Sequence, residues 1–389
     1  MKNTLLLLIF ISTCLLSVAC GSSGSPYIVD IDNADGDADS ENTEDSDLDG
    51  DENDNNSEFD NDGVCEADAE THEISSDNDC ESLFDRDEEI CDSDNDPECA
   101  DCAENDADCD DDGHIDNSIS VATFNVRRFF DTVCDSGSCG SGDWEEQLSN
   151  AEFTARAAQI ADAVRDMDVD IVLFQEFEKQ PCLDAVNDEL GDEYTVSIVA
   201  ETGYDASIDV ALLAKGEFIR RINHGDEPLH KPGTTSPTYY FTREFPEIHL
   251  EINGEKVIVF VGHFKSKSDD DPDRRWAEAA GAYDIITEVA SENEDALIIF
   301  GGDLNDTPGS NPINELEKNG KLHRVASELS NNLAATYRYN GSLQAIDHLF
   351  VATESSGAYV SGTAESVRGP SFGLGGSDHA ALKADFLLP

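Results

Sequence analysis

Five short clusters of polar residues carry the chemistry that this sequence offers, and each stands at the end of a short apolar run. In chain order they are FNVR at 124–127, LFQE at 173–176, GHF at 262–264, FGGDLN at 300–305 and SDH at 377–379. Such runs are typical of β-strands, and a strand end holds a polar group rigidly while leaving it open to solvent. Carboxylate and amide oxygens bind hard divalent cations and imidazoles transfer protons. The combination therefore favours metal-assisted hydrolysis.

Taken in this order, the clusters resemble the endonuclease/exonuclease/phosphatase superfamily, the DNase I-like metal-dependent phosphodiesterases. The resemblance implies an α/β domain over residues 118–389, a four-layer sandwich of two mixed β-sheets flanked by helices. It also implies Mg²⁺, or Mn²⁺ in its place, as the cofactor. The implied substrate is a nucleic acid, with DNA expected ahead of RNA.

The resemblance assigns a role to each residue of the motifs. Glu176 is the expected metal ligand, Asn125 supports the metal and the phosphate, and Asp378 binds the same ion or one close to it. Asp303 is expected to orient or deprotonate the attacking water. Asn305 is expected to fix Asp303 and the phosphate.

Two histidines complete the expected acid–base machinery. His379 matches the terminal SDH histidine that stabilises or protonates the departing oxygen, and Asp347 matches the carboxylate that orients it. His263 matches the second histidine at the phosphate. Glu201 lies where DNase I-like members keep an acidic residue and is the candidate partner of His263.

Two arginines are the expected phosphate ligands. Arg127 stands two residues after the first-strand asparagine, and Arg243 resembles the arginine of an arginine-before-proline segment, with one extra residue before the proline. The fork of N–H donors on arginine holds a phosphate bidentately. A second arginine that the family keeps near the QE pair is missing, because Phe177 and Glu178 follow. That absence argues against tight binding of duplex DNA.

Each cluster taken alone has a simpler explanation. A lone Gly-Asp-x-Asn is usually a turn, and a lone histidine after a strand is usually a surface residue. Asp-His pairs also arise by chance in so acidic a chain. The order of all the clusters, each at a predicted strand end, is what favours an active site.

The charge of the chain opposes binding of a polyanion. The formal net charge is −63, and residues 21–118 hold 39 of the 86 acidic residues against a single basic one, Arg86. An acidic body repels nucleic acid, so binding requires a local basic patch or metal ions.

Residues 1–20 combine a basic start, an apolar run and small residues at the end, which predicts an export signal. The run is too short for a stable transmembrane helix. The sequence SVAC at 17–20 resembles a bacterial lipobox, which predicts a lipid anchor on Cys20 and a location at the cell envelope. Small residues at 17 and 19 also fit cleavage by ordinary signal peptidase, which would release a soluble protein, so both outcomes stay open.

Residues 21–117 form an acidic segment without apolar periodicity, which cannot fold by hydrophobic burial alone. Its clearest motif is a set of alternating aspartates: Asp45, Asp47, Asp49 and Asp51. Their spacing, with Gly50, is that of a DxDxDG calcium loop. An EF-hand needs glutamate at the twelfth position, where Asn56 stands, so the pattern is closer to aspartate-rich calcium repeats. A disordered acidic spacer and a calcium-stiffened, disulfide-stapled stalk both remain open.

The cysteines fit an oxidising compartment. Six of the eleven lie in the acidic segment, an even number consistent with three bridges whose pairing the sequence does not reveal. In the main domain, Cys134 and Cys139 are spaced to close a small loop. That pairing leaves Cys182 without a partner.

Apolar periodicity predicts the elements that position the clusters. Helical spacing predicts helices over residues 151–166 and 273–289. Strands are predicted at 119–126, 170–174, 196–200, 210–214, 249–252, 257–261, 296–300, 346–351 and 380–387. Asn253-Gly254 predicts a tight turn between paired strands, which favours mixed rather than fully parallel sheets.

The sequence therefore predicts an exported phosphodiesterase, most simply a nuclease. One alternative keeps the chemistry and changes the substrate to sphingomyelin or to a lipid or inositol phosphate. The lack of a long exposed apolar hairpin argues against it. Another alternative is a non-catalytic, calcium-dependent surface protein, which requires an incomplete metal site. No feature predicts an obligate protein partner.

Overall fold

The computed structural model describes residues 117–389, which form two mixed β-sheets packed face to face with helices outside them. The helices are α1 (Asn150–Met167), α2 (Gln180–Glu189), α3 (Pro272–Glu292) and α4 (Asn311–Leu316), with short 3₁₀ turns at Lys318–Gly320 and Val325–Glu328. The predicted α/β sandwich is confirmed.

Fifteen strands make up the sheets of the described residues. In chain order they are β1 (Ser118–Phe129), β2 (Ile171–Phe177), β3 (Val196–Ala200), β4 (Asp209–Ala214), β5 (Glu217–Asn223), β6 (Pro246–Ile252), β7 (Glu255–His263), β8 (Leu297–Asp303), β9 (Leu322–Arg324), β10 (Tyr337–Tyr339), β11 (Ser342–Gln344), β12 (Asp347–Ala352), β13 (Ala358–Tyr359), β14 (Glu365–Val367) and β15 (Ala381–Leu387).

The first sheet has the order β13-β15-β1-β2-β4-β3, with β14 also paired to β15, and the second has the order β5-β6-β7-β8-β12-β9. Each sheet contains one parallel pair, β1–β2 in the first and β7–β8 in the second. Strands β10 and β11 form a separate hairpin. The first described residue lies beside the last residues of β15, where the N–H of Leu388 donates to the carbonyl of Asn117 at 2.9 Å.

Period-two alternation distributes each strand between two cores. In β1, Val121 faces the layer between the sheets, whereas Phe124 faces α1 and α2. In β7, Val259 faces the same central layer, and Phe260 packs under α3. Because strands at the centre of both sheets are buried on both faces, they read as nearly continuous apolar runs, and their polar ends stand out.

Local sequence explains where the first helix starts and stops. Ser149 Oγ accepts from the N–H of Glu152 at 3.3 Å, and Glu152 Oε2 accepts from the N–H of Ser149 at 2.9 Å, which is a capping box. The helix ends where Asp168 takes a left-handed conformation with φ of 49°.

All nine predicted strands and both predicted helices are present. The prediction missed α2, which is short and lacks a side-chain N-cap, and β5, every residue of which is exposed. The Cys134–Cys139 bridge forms as expected, and Cys182 is a buried free cysteine.

Predictions for the first part of the chain stay predictions. The lipid site Cys20, the aspartates at positions 45–51 and the six cysteines of the acidic segment all lie outside residues 117–389. Within the described part of the chain, no helix combines the length and apolar character needed to cross a membrane.

Candidate active site

Three neighbouring strands of the second sheet bring polar residues into one row. Parallel pairing of β7 with β8 sets His263 opposite Asp303, and antiparallel pairing of β12 with β8 sets Asp347 opposite the same Asp303. All three are buried, at 5%, 2% and 0% exposure. The strands approach closely because both preceding residues of β7 and β8 are glycines. A Cβ on Gly302 would lie 1.8 Å from the carbonyl oxygen of Gly262.

The first sheet adds Asn125 and Glu176 through irregular strand ends. The β1–β2 register shifts after Asn125, and the β2–β4 register shifts around Glu176, which has a φ of 74°. Bulges of this kind re-aim a side chain near functional sites. Asn125 Nδ2 donates to Glu176 Oε1 at 3.0 Å and to Asp303 Oδ2 at 3.1 Å. One amide therefore joins carboxylates from both sheets.

His379 reaches the same carboxylate from the loop before β15. Its Nδ1 donates to Asp347 Oδ2 at 2.9 Å, which leaves Nε2 facing Asp303 Oδ2 at 4.0 Å. Ser377 Oγ accepts from the N–H of His379 at 3.0 Å and donates to the carbonyl of Asn125 at 2.7 Å. The SDH cluster is thus tied to the first strand.

Arg156 of α1, which the sequence analysis missed, adds a second tie. Its guanidinium donates to the carbonyl of Gly375 at 2.5 Å and also to the carbonyl of Val126. The two acceptors flank the SDH loop and the NVR cluster. Arg156 therefore helps to hold the backbones of both clusters in place.

His263 lies on the opposite side of Asp303 from His379. Its Nε2 is 3.8 Å from Asp303 Oδ2 and 4.0 Å from Glu176 Oε1. Its Nδ1 is buried and has no hydrogen-bond partner among the described residues, and the same is true of Nη1 of Arg243. Buried polar atoms left without partners are costly. An anionic ligand such as a phosphate would satisfy the Arg243 donor.

The two histidines are held in different charge states. Burial lowers the pKa of His263 well below its usual range, and the charges of Arg243 and His379 lower it further. Burial opposes protonation of His379 as well, but the charge and hydrogen bond of Asp347 outweigh it and raise the pKa of His379 to about 10. At neutral pH, His379 is therefore a cation and His263 is neutral. Burial, followed by the charge of Asp347, raises the pKa of Asp303.

Asn305 supports Asp303 mainly through its backbone. With a φ of 53°, its N–H donates to Asp303 Oδ1 at 2.9 Å. Its side chain turns away from that carboxylate, because Nδ2 donates to the carbonyl of Phe264 at 3.1 Å. The expected link from Asn305 to Asp303 is present, and the amide also secures the chain just beyond His263.

Arg127 and Asp378 lie at the rim of the site. Arg127 Nε is 4.0 Å from Asp378 Oδ2, and the two side chains are 54% and 42% exposed. Asn125 Oδ1 accepts from the N–H of Arg127 at 2.9 Å. The backbone of Arg127 is thus fixed to Asn125, while its half-exposed guanidinium lies beside Asp378 at the rim.

The donor set suits a hard divalent cation, since carboxylate oxygens dominate it. Asp303, Asp347 and His379 each place one polar atom within 4.8 Å of the others, and the two carboxylates are the candidate ligands among them because His379 is protonated. Glu176 faces Asp303 across the amide of Asn125. In this rotamer Asn125 presents its nitrogen to the carboxylates of Glu176 and Asp303 and bridges them, and Asp378 lies beside Arg127 at the rim.

Glu201 does not accompany His263. It is exposed, and its Oε1 accepts from the N–H of Gln180 at the start of α2, at 3.1 Å. No hydrogen bond or ion pair between residues 117 and 389 joins it to His263. The reason is position, because Glu201 follows β3 at the edge of the first sheet, whereas His263 ends a central strand of the second.

Two further acidic residues near the site were missed. Asp209 at the start of β4 accepts from Thr202 Oγ1 at 3.0 Å and Ser207 Oγ at 2.7 Å; burial raises its pKa to about 6, against the opposing charge of Arg243. An acid heading a wholly apolar strand was the available signal.

Glu278 of α3 was the other omission. It is fully buried and accepts from the N–H of Thr242 at 2.7 Å and that of Lys265 at 2.8 Å. It thereby holds the segment of Arg243 against the chain that follows His263. Nothing in the sequence distinguishes it from the other acidic residues of α3.

A model of the Endonuclease/Exonuclease/phosphatase family matches residues 122–379, from β1 to His379. The chain belongs to this family. At the family level it is a phosphodiester hydrolase, and the family generally uses a divalent metal. No curated protein matches the sequence.

The chain is also similar to several solved structures. The human Nocturnin catalytic domain with bound sulfate has a TM-score of 0.51 at 17% identity, covering 70% of this chain and 95% of its own. Truncated Caenorhabditis elegans TDP2 has a TM-score of 0.48 at 18% identity, covering 69% and 97%. Staphylococcus aureus beta toxin has a TM-score of 0.47 at 20% identity, covering 68% and 99%.

Proposed function

We propose that this protein is an exported, Mg²⁺-dependent nuclease that cleaves DNA or RNA by attack of water on a phosphodiester. The observation that carries the proposal is the convergence at Asp303. One carboxylate is contacted by an amide from the first sheet and is flanked by two histidines of opposite charge state at 3.8 and 4.0 Å. A carboxylate with a purely structural role would be satisfied by hydrogen bonds and would not require two histidines beside it.

The carboxylate of Glu176 would hold the Mg²⁺, or Mn²⁺ in its place, with Asp378 at the rim as a further oxygen ligand. The ion would neutralise the phosphate and stabilise the charge that develops on its oxygens. The oxygen-rich, partly buried donor set supports this assignment, and Glu176 keeps 17% of its side chain exposed to incoming ligand.

Asp303 is proposed to orient the attacking water and take its proton. The N–H of Asn305 and the amide of Asn125 fix the carboxylate from two directions. Its raised pKa brings its basicity nearer to neutral pH, where a general base is most effective.

His379 is proposed to stabilise or protonate the departing oxygen. It enters the reaction as a cation, because Asp347 maintains its proton. His263, held neutral, is proposed to contact the phosphate from the other side of Asp303. Arg127 at the rim and the unpaired nitrogen of Arg243 provide donors for the phosphate oxygens.

The test is cleavage of plasmid DNA by the full chain with Mg²⁺ and with EDTA, in Asp303→Asn, His379→Ala and the control Glu201→Gln. We expect EDTA to abolish cleavage and the two site variants to lose about 10²–10⁴-fold in rate. The control removes an exposed acid away from the site and should keep the wild-type rate. Full activity in both site variants would overturn the assignment.

A second candidate substrate is a phosphodiester of a lipid headgroup. The exposed edge strand β5 favours it, because Phe218, Ile219 and Ile222 are 46%, 51% and 37% exposed beside Arg220 and Arg221. Apolar and basic side chains together suit an anionic lipid surface. Parallel assays on DNA, RNA and sphingomyelin vesicles separate the candidates. A non-catalytic surface protein would show no turnover of any of them.

A further inference from the structure

The loop between β1 and α1 gathers acidic residues away from Asp303. Asp131, Asp135 and Glu145 of this loop lie together with Glu178, which follows β2. These four residues are here called the loop cluster, and three of them pair with the ammonium group of Lys179. Lys179 Nζ is 3.2 Å from Asp131 Oδ2 and 3.8 Å from Glu178 Oε1, and it also bonds Asp135. Three carboxylates thus share one positive charge, and Glu145 places a further carboxylate oxygen within 4.8 Å of those of Asp135 and Glu178.

Backbone N–H groups bond only some of the carboxylate oxygens of the loop cluster. Glu145 accepts from the N–H groups of Asp135 and Ser136 at 2.6 and 2.7 Å, and Glu178 Oε2 accepts from the N–H of Asp131 at 2.7 Å. The other oxygen of Glu178 has no hydrogen-bond partner between residues 117 and 389, although the residue is only 3% exposed. That oxygen faces the ammonium and the other carboxylates. A buried carboxylate oxygen in this position lacks a cation at bonding distance.

We propose that the loop cluster binds a structural divalent cation of the Ca²⁺ class, separate from the catalytic ion. One oxygen each from Asp135, Glu145 and Glu178 lies within 4.8 Å of the others. Two oxygens about 2.4 Å from one Ca²⁺ are separated by at most roughly that distance. The irregular loop suits the flexible coordination of Ca²⁺ better than the strict octahedron of Mg²⁺. Lys179, 24% exposed, turns outward as the ion enters.

The ion would brace the strand ends that position the active site. Glu178 follows Glu176 by two residues, and its N–H donates to the carbonyl of Phe129 at 3.1 Å. The Cys134–Cys139 bridge already closes the same loop covalently. Chelation of metal would therefore have two effects, loss of the catalytic ion and loosening of the chain beside Asn125 and Glu176. The inference stands whether or not the proposed nuclease function does.

Trp144 makes the site observable by terbium luminescence. It precedes Glu145 directly, the other tryptophan of the chain is Trp276 on α3, and none lies in the acidic segment. Tb³⁺ binds in place of Ca²⁺ and emits when a nearby tryptophan transfers energy to it. Excitation at the red edge of tryptophan absorption excludes tyrosine. The experiment titrates the full chain with Tb³⁺ and then competes with Ca²⁺.

We expect emission from the wild type that Ca²⁺ displaces, and its loss in Glu178→Gln and in Trp144→Phe. Asp303→Asn, which alters the other candidate metal site, should keep the emission. Unchanged emission in Glu178→Gln, or emission that survives Trp144→Phe, would overturn the proposal. Asp135→Asn, at an exposed position of the loop, replaces Glu178→Gln if that variant does not fold.

Thermal unfolding gives an independent readout. Ca²⁺ at about 100-fold above its Kd should raise the Tm of the wild type by about 5 °C. The same addition should leave the Tm of Glu178→Gln or Asp135→Asn much less changed, while Asp303→Asn responds as the wild type does. Equal shifts in all the variants would place the bound Ca²⁺ elsewhere in the chain and reject the loop cluster.

Discussion

At the scale of single residues, the two histidines of the site differ in charge because only His379 bonds the carboxylate of Asp347. Asp347 bonds His379, whereas His263 is buried beside the positive charge of Arg243. The same side-chain type therefore supplies a cation on one side of Asp303 and a neutral ring on the other. Such different surroundings allow one histidine to act as an acid while the other contacts the phosphate as a neutral ring.

The charge state of His379 leads to a prediction for Asp347→Asn. Below its folded pKa of about 10, His379 keeps its proton because Asp347 is charged. Asparagine keeps the shape without the charge, so burial dominates and the pKa falls. We expect kcat at pH 8 to fall by about 10²–10⁴-fold, with the alkaline limb of the pH–rate profile moved to lower pH. Glu201→Gln should keep the wild-type profile. A reduced rate with an unmoved alkaline limb would contradict the argument.

Glycine at position 302 decides how closely β7 and β8 approach. In Gly302→Ala the new Cβ would meet the carbonyl of Gly262 at 1.8 Å, and backbone cannot yield as a flexible side chain does. We expect a loss of about 3 kcal/mol or more in the free energy of unfolding, measured by urea titration. Gly140→Ala, whose Cβ meets only the side chain of Asp143, is the matched control and should change stability little. Similar stability in both variants would show that the strands separate easily.

At the scale of elements, β6 carries a buried acid that has no part in the proposed chemistry. Glu247 is 2% exposed and bonds His224 Nε2 at 3.1 Å as well as His249. Although burial opposes it, the hydrogen bonds of the two histidines lower the pKa of Glu247 to about 2. Glu247 lies on the face of β6 that points away from the core between the sheets. Its lowered pKa makes this carboxylate a determinant of stability in acid.

The sign of this shift gives a second stability prediction. A carboxylate with a depressed folded pKa stabilises the fold above its ordinary pKa near 4.5, and that contribution is lost as the pH falls towards 2. We expect the wild type to lose about 2–3 kcal/mol across this window that Glu247→Gln does not lose. Urea unfolding of both proteins from pH 7 to pH 2.5 measures the difference. Parallel pH curves would contradict the assignment.

Strand ends explain which parts of the site could be predicted. Asn125, Glu176, His263 and Asp303 each follow an apolar run, and such runs are visible without knowledge of pairing. Which ends meet is set by long-range registers, such as that of His263 with Asp303, which no local spacing encodes. Side-chain direction at bulges is likewise not local information. For this reason Glu201 was wrongly predicted to accompany His263. For the same reason Asp209, the first residue of β4, was not recognised as part of the surroundings of the site.

At the scale of the whole molecule, a chain with a net charge of −63 is proposed to bind a polyanion. Arg127 and Arg243 attract the phosphates locally, while the other charges of the acidic chain repel nucleic acid over longer distances. Salt at 0.1 M screens this repulsion beyond a Debye length of about 10 Å. The repulsion acts on long nucleic acids far more than on a small ester that carries one charge.

We therefore expect kcat/KM on plasmid DNA to rise as monovalent salt increases from about 0.01 to 0.1 M. A thymidine phosphodiester of one charge, used as the control substrate, should respond much less. A steep fall in kcat/KM with salt on DNA, as for a protein that neutralises many phosphates, would show that the local basic residues dominate the field.

The hydrogen bond between Leu388 and Asn117 fixes the place on the domain at which the preceding chain enters β1. Asn117 precedes β1 at one end, and Asn125 lies further along the same strand, about 25 Å away at the usual rise per residue. A group joined to the domain through Asn117 thus attaches at the end of β1 that is distant from Asn125. A bead, a surface or a fused partner linked there would leave the active-site end of the strand free to meet large substrates.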